Sequence, residues 1–114
     1  MSMSEDVRKF MLACDQLKVL EVESSLYYKL IDEEFNEFIN SSIRTEELDA
    51  CMDLIWVILG YCHARGFNVE GAWNEVARSN MSKVDAATGK VIKREDGKIL
   101  KPDTFSPPNL EPFI

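Results

Sequence analysis

Residues 45–66 read TEELDACMDLIWVILGYCHARG, and this stretch decides the fold. Thr45 followed by Glu46 and Glu47 marks a helix start: a hydroxyl can cap free backbone N–H groups, and the acids meet the positive end of the dipole. Gly66 suits the left-handed position beyond the last turn, so the spacing predicts a helix from Thr45 to Arg65. Its centre, Leu54 to Tyr61, is apolar on every side, as expected of a helix in the buried middle of a fold. Gly60 there permits close approach by a neighbour. Asp53, more than a turn past the cap, is out of place, because an unpaired charge in an apolar setting costs several kcal/mol, of order given by burial of ions in proteins.

Working outward, Ser4-Glu5-Asp6 reads as the cap of a first helix carrying Val7, Phe10, Met11, Cys14 and Leu17 at helical spacing. Ser24 or Ser25 can cap a second, running to about Ser41, with Leu26, Tyr27, Leu30, Ile31, Phe35, Phe38 and Ile39 as its apolar positions. Asn68 can cap a fourth, whose stripe of Val69, Ala72, Trp73, Val76 and Ala77 ends near Asn80. Beyond Lys83, Val91-Ile92-Lys93 and Lys98-Ile99-Leu100 flank Asp96-Gly97, a hairpin pattern. Pro102, Pro107, Pro108 and Pro112 then keep the end of the chain extended, with Phe105, Leu110 and Phe113 as anchors.

The expected fold is therefore all-α: an antiparallel helical bundle with a small C-terminal β-hairpin and an extended tail. We expect a single domain over residues 1–114, with a helical body at about 4–80 and a basic hairpin and Pro-rich tail at about 83–114. So few helices cannot surround the third one, and the bundle is expected to be completed by oligomerisation, as a homodimer or a dimer of dimers.

At 114 residues and 46% hydrophobic composition the chain suits one domain. A net charge of −7 argues against binding nucleic-acid backbone, which needs a basic footprint. The charge is uneven: residues 1–82 hold 7 basic and 15 acidic side chains, residues 83–114 hold 6 and 5. Three cysteines, Cys14, Cys51 and Cys62, fall in helical apolar patterns without a secretory leader, pointing to a reducing cytoplasm. The run from Leu54 to Leu59 is too short for a bilayer, so no membrane partner is expected. Cys62 and His63 are adjacent on a helix and point about 100° apart, which reads as ordinary helix residues rather than a metal pair.

At about 100° per residue, Glu34 and Glu37 fall inside the apolar arc of the second helix, one turn from each other. Asp49 and Asp53 are likewise one turn apart on the third helix, with Glu46 near the same face. A bound cation would remove the cost of these buried acids. Hard oxygen donors without His or Cys suit Mg²⁺ or Mn²⁺ better than zinc, and the lack of a Gly-containing loop excludes an EF-hand. Glu33 lies at the edge of the arc.

Glu33-Glu34-Phe35-Asn36-Glu37, followed by the run from Glu47 to Gly60 that contains Asp53, resembles the all-α nucleoside triphosphate pyrophosphohydrolases of the MazG-like superfamily. Arg78-Ser79-Asn80-Met81-Ser82-Lys83, Gly89-Lys90-Val91-Ile92-Lys93 and Pro107-Pro108-Asn109-Leu110 are similar to its short phage and bacterial members, related to phosphoribosyl-ATP pyrophosphohydrolase. The resemblance implies cleavage of a nucleoside triphosphate between the α and β phosphorus atoms, with Mg²⁺ or Mn²⁺ held by Glu34, Glu37 and Asp53. The superfamily commonly has Glu-x-x-Asp on the third helix; Ala50 stands at the Glu position, and Asp49 is the implied substitute. It further implies Glu33 as the group that positions or deprotonates water, Lys83, Lys93 and Arg78 on phosphate oxygens, and Asn80 on the nucleotide. A purine substrate such as dGTP or GTP is favoured, with Phe10, Met11, Gln16 and Trp73 as candidates for a base pocket, although core packing explains Phe10, Met11 and Trp73 equally well. Two other readings are phosphoribosyl-ATP hydrolysis and a non-catalytic helical interaction module, in which Glu34 and Asp53 would tolerate alanine.

Overall fold

The computed structural model describes residues 2–17 and 21–114. Four helices, α1 (Met3–Ala13), α2 (Glu21–Asn40), α3 (Arg44–Ala64) and α4 (Val69–Met81), precede strands β1 (Val84–Asp85), β2 (Lys90–Lys93) and β3 (Ile99–Leu100) and a 3₁₀ turn at Glu111–Phe113. Helices make up 61% of the chain, so the all-α expectation holds for its main part. The chain divides into two compact units, Met1–Val69 and Glu70–Ile114, which groups α4 with the C-terminal segment.

In the first unit α2 packs along α3, and α1 lies on α3. The core is small: Val7 and Met11 of α1, Tyr27 of α2, and Val57 and Ala64 of α3, with Leu17, Leu30, Ile31, Leu54, Leu59 and Tyr61 packed against it. Both α1 and α3 end in the same hydrogen-bonded stop. After α3, Gly66 at φ 74° donates to His63 O and Phe67 N–H reaches back to Cys62 O. That is the role the sequence predicts for Gly66. After α1, Asp15 takes the left-handed position at φ 57°, with Asp15 N–H on Leu12 O and Gln16 N–H on Met11 O.

Three helix starts differ from expectation. Ser2, not Ser4, caps α1, its Oγ accepting from Glu5 N–H at 3.1 Å. Ser4 is buried, where its Oγ lies 3.2 Å from His63 Nε2, and its carbonyl oxygen 2.9 Å from the same nitrogen. The second helix begins at Glu21, which leaves Ser24 buried within it and Ser25 in its second turn. The third begins at Arg44 after Ile43, with no side-chain cap, so Thr45 lies in its first turn.

The sequence expects too few helices to surround α3, and in the single chain only a strip of it is covered. Only Ala50, Val57, Gly60 and Ala64 are buried along it, whereas Met52, Ile55, Trp56 and Ile58 are exposed. Two flanking helices cover a strip of a helix, not its circumference, and apolar composition alone does not supply the missing neighbours.

In the second unit the hairpin is present as β2 and β3, paired Ile92↔Leu100 and Lys93↔Ile99, with Gly97 at φ 87° in the turn. A third strand, β1, adds to the other edge through Val84↔Val91 and Asp85↔Lys90, giving an antiparallel sheet in the order β1-β2-β3. Among the described residues, no helix is long and apolar enough to cross a membrane.

Gly60 has a specific neighbour: a Cβ there would collide with the ring of Tyr27, which is itself buried. The Tyr27 hydroxyl donates to Gln16 Oε1 at 2.7 Å, so the ring cannot swing aside freely. Gly60→Ala should gain helix propensity yet still destabilise the protein by about 1–3 kcal/mol, the usual cost of overpacking. Denaturant unfolding of the two proteins side by side measures this; an unchanged or higher midpoint would refute the contact.

Candidate metal centre

Glu34 and Glu37 project from one side of α2 toward Asp53 on α3, and each of the three offers a carboxylate oxygen within 4.8 Å of the others. The helical turn supplies the first pairing and antiparallel α2–α3 packing supplies the second. Glu34 and Asp53 are half-buried and Glu37 is exposed, so the cluster lies at the margin of the unit rather than in an oily interior. Even so, Glu34 Oε2 is shut off from solvent without a hydrogen-bond partner.

Such an arrangement resists ionisation. Burial, then a hydrogen bond to Glu37, then the charges of Glu37, Asp53 and Asp49 raise the Glu34 carboxyl to about 7. Asp53 is raised chiefly by burial, with Asp49 and Glu37 adding to it. Three hard oxygen donors with one orphaned lone-pair atom are what a divalent cation would complete, and no soft or imidazole donor belongs to the group.

Asp49 does not share the three-atom cluster among the described residues, but its charge reaches both Glu34 and Asp53. It lines a cavity of about 310 Å³ together with Glu37, Asn40, Ser41, Glu46 and Ala50. Ala50 is buried at this wall. Glu33 is exposed and outside the cluster. Asn40 and Ser41 read from sequence only as a helix end, although Asn40 follows Glu37 by three residues and so shares its side of α2.

The base-pocket expectation needs correction. Met11 is wholly buried in the core and Gln16 is engaged with Tyr27, so both serve packing. Phe10 meets Trp56 edge-to-face, ring centroids 5.7 Å apart. Trp73 is an exposed residue of the second unit.

The second unit also carries the four residues expected to meet substrate. Lys83 Nζ donates to Asn80 Oδ1 at 3.1 Å, and Lys93 is exposed on β2. Arg78 directs Nε and Nη2 at the Glu75 carboxylate, 2.7 and 3.0 Å away, and Nη2 also reaches Pro107 O at 3.2 Å. Glu75 escapes sequence analysis because it reads as an ordinary polar position on α4.

The sequence model of the phosphoribosyl-ATP pyrophosphohydrolase family matches residues 16–80, more than half of the chain. The chain belongs to this family, which lies within the MazG-like all-α nucleoside triphosphate pyrophosphohydrolase superfamily. Membership supports pyrophosphohydrolase activity on a nucleotide, and the family typically depends on a divalent metal. No curated protein sequence gives a significant match.

The raised Glu34 carboxyl fixes a sign. Glu34 holds its proton more tightly folded than unfolded, so its contribution to stability is full below the ordinary value of 4.5 and is lost as pH rises towards about 7. Metal-free protein should therefore melt at a lower temperature at about pH 7.5 than at about pH 5, with this group as the cause. A divalent cation should raise the melting temperature, more so at the higher pH, because its binding displaces the proton. Glu34→Gln should flatten both effects. Equal melting temperatures across this range, with and without cation, would refute the cluster.

Proposed function

We propose that this chain hydrolyses a nucleoside triphosphate to the monophosphate and pyrophosphate, (d)NTP + H₂O giving (d)NMP + PPi. The convergence of Glu34, Glu37 and Asp53 within 4.8 Å, in a member of this family, carries the reading. Those three residues, with Asp49 beside them, would hold Mg²⁺ or Mn²⁺. When bound, the cation supplies Lewis-acid polarisation and charge neutralisation at the phosphate oxygens.

The chain's own groups do the rest. Glu33, next to the ligands but free of the cluster, positions the attacking water and accepts its proton. Lys83 and Lys93 meet phosphate oxygens, and Asn80 hydrogen-bonds the nucleotide. Arg78 has Nη1 left for the same purpose, its other donors being committed to Glu75 and Pro107. A purine nucleotide such as dGTP or GTP is the favoured substrate. Phosphoribosyl-ATP is the second reading, favoured by the family description itself.

We further propose that the active form is a homodimer or a dimer of dimers, working in the cytoplasm. Support comes from the apolar face of α1 and α3. Met3, Met52, Ile55 and Trp56 are exposed there around a hollow of about 110 Å³ between the helices, and exposed Phe10 packs against Trp56. A second copy presents the same face and can cover it by two-fold pairing. The three free cysteines suit a reducing compartment.

Pyrophosphate release from a panel of dNTPs, NTPs and phosphoribosyl-ATP, with Mn²⁺, tests the reaction. Wild type should release pyrophosphate from at least one nucleoside triphosphate, and Glu37→Gln should lower the rate by at least about 100-fold, the upper end of what disturbing a metal site costs. Release from none of them removes the reading; equal release by the variant removes the site. For the assembly, sedimentation should show a dimer or tetramer, and Trp56→Glu should shift it toward monomer. A monomeric wild type would end that part of the proposal.

A further inference from the structure

The C-terminal segment is strapped to α4 by a clasp in which Glu75 and Asn109 have no part in the reaction scheme above. The Glu75 carboxylate takes two hydrogen bonds from Arg78 and a third from Asn109 N–H at 2.7 Å, while Arg78 Nη2 holds Pro107 O. One turn on, Ser82 Oγ accepts from Ser106 N–H at 2.9 Å, and Thr104 Oγ1 lies 3.5 Å from Ser82 O. The strap is thus pinned at both ends, at 104–106 and at 107–109. The three bonds to Glu75, Arg78 foremost, hold that carboxyl well below the usual range, at about 2, so the clasp stays charged at any physiological pH.

Phe105 lies on the pinned strap, and two ammonium groups converge on its ring. Lys101 Nζ lies 4.8 Å from the centroid and Lys83 Nζ 5.8 Å. Among the described residues neither ammonium meets a carboxylate; Lys83 has only the neutral Asn80 oxygen. Asp96 is paired with Arg94 and Asp85 accepts from the Ala87 N–H, while Asp103 lies on the strap two residues from both Lys101 and Phe105. Two ammonium groups on one ring, with no carboxylate paired to either among the described residues, make a cationic spot beside an aromatic face. A multiply charged anion would complement it.

We infer that Lys101, Lys83 and Phe105 form a binding site for a polyphosphate chain, and that Glu75 is the positioning residue that holds it together through Arg78 and Asn109. The inference rests on the proposed hydrolase reading for the source of the ligand, the triphosphate of the substrate or the pyrophosphate that leaves. It adds Lys101 and Glu75 to the residues that matter, and makes the Pro-rich strap part of the substrate grip.

The test uses the full-length protein in EDTA, which keeps metal-mediated phosphate binding out of the measurement. Calorimetry with tripolyphosphate should show binding that weakens with salt, and Lys101→Gln and Glu75→Gln should each weaken it about tenfold. Glu75→Gln should also speed tryptic cleavage within the strap, and with metal restored should raise KM for the nucleotide far more than it lowers kcat. An α,β-methylene triphosphate compared with pyrophosphate tells which of the two sources the site prefers. If wild type does not bind tripolyphosphate, or if Lys101→Gln binds it as tightly as wild type, the site is overturned. If Glu75→Gln loosens the strap but leaves binding and KM untouched, its positioning role is overturned. Because Lys101 is exposed, its variant remains informative even should Glu75→Gln fail to fold. Absence of pyrophosphate release by wild type, with anion binding intact, would instead count against the hydrolase reading alone.

Discussion

The register between α2 and α3 is the constraint on which the site depends. Tyr27 precedes Glu34 by seven residues on α2, and Gly60 follows Asp53 by seven on α3. In an antiparallel pair, the contact of Tyr27 with Gly60 and the approach of Glu34 to Asp53 are therefore two turns apart along both helices, about 10 Å. One close approach, possible only because Gly60 has no side chain, sets the phase of the other. Hydrophobic burial at the Tyr27 end stabilises a pairing that carboxylate repulsion at the far end opposes.

That opposition defines what the carboxylates can do. The three oxygens converge, yet Glu34 is driven toward its neutral form by burial and by its neighbours, and one of its oxygens finds no donor. A stability-optimised protein would place amides or apolar groups there. The sequence instead keeps a frustrated cluster beside a cavity of about 310 Å³, a frustration that a cation would relieve.

Much of this was legible in the chain because helical periodicity is local. Counting 100° steps places Glu34 and Glu37 together and marks Asp53 as misplaced, and Gly66 as a stop follows from the conformation it must adopt. What failed were choices between equivalent local signals. Ser2 and Ser4 both precede acids, and the tertiary partner His63 takes Ser4, leaving Ser2 as the cap. The apolar run of α3 shows what that helix needs, and one copy of the chain covers only a strip of it. β1 is too short to leave a pattern, and the Glu75 clasp spans 34 residues to Asn109, beyond the reach of any spacing rule.

Because alignment of the two long helices is fixed at Tyr27 and Gly60, it does not depend on the connector at 41–43. Insertions there would leave the carboxylates in phase while reshaping the mouth of the cavity that Asn40, Ser41 and Glu46 line. The architecture thus lets the connector between the two long helices vary in length without shifting the carboxylates out of phase.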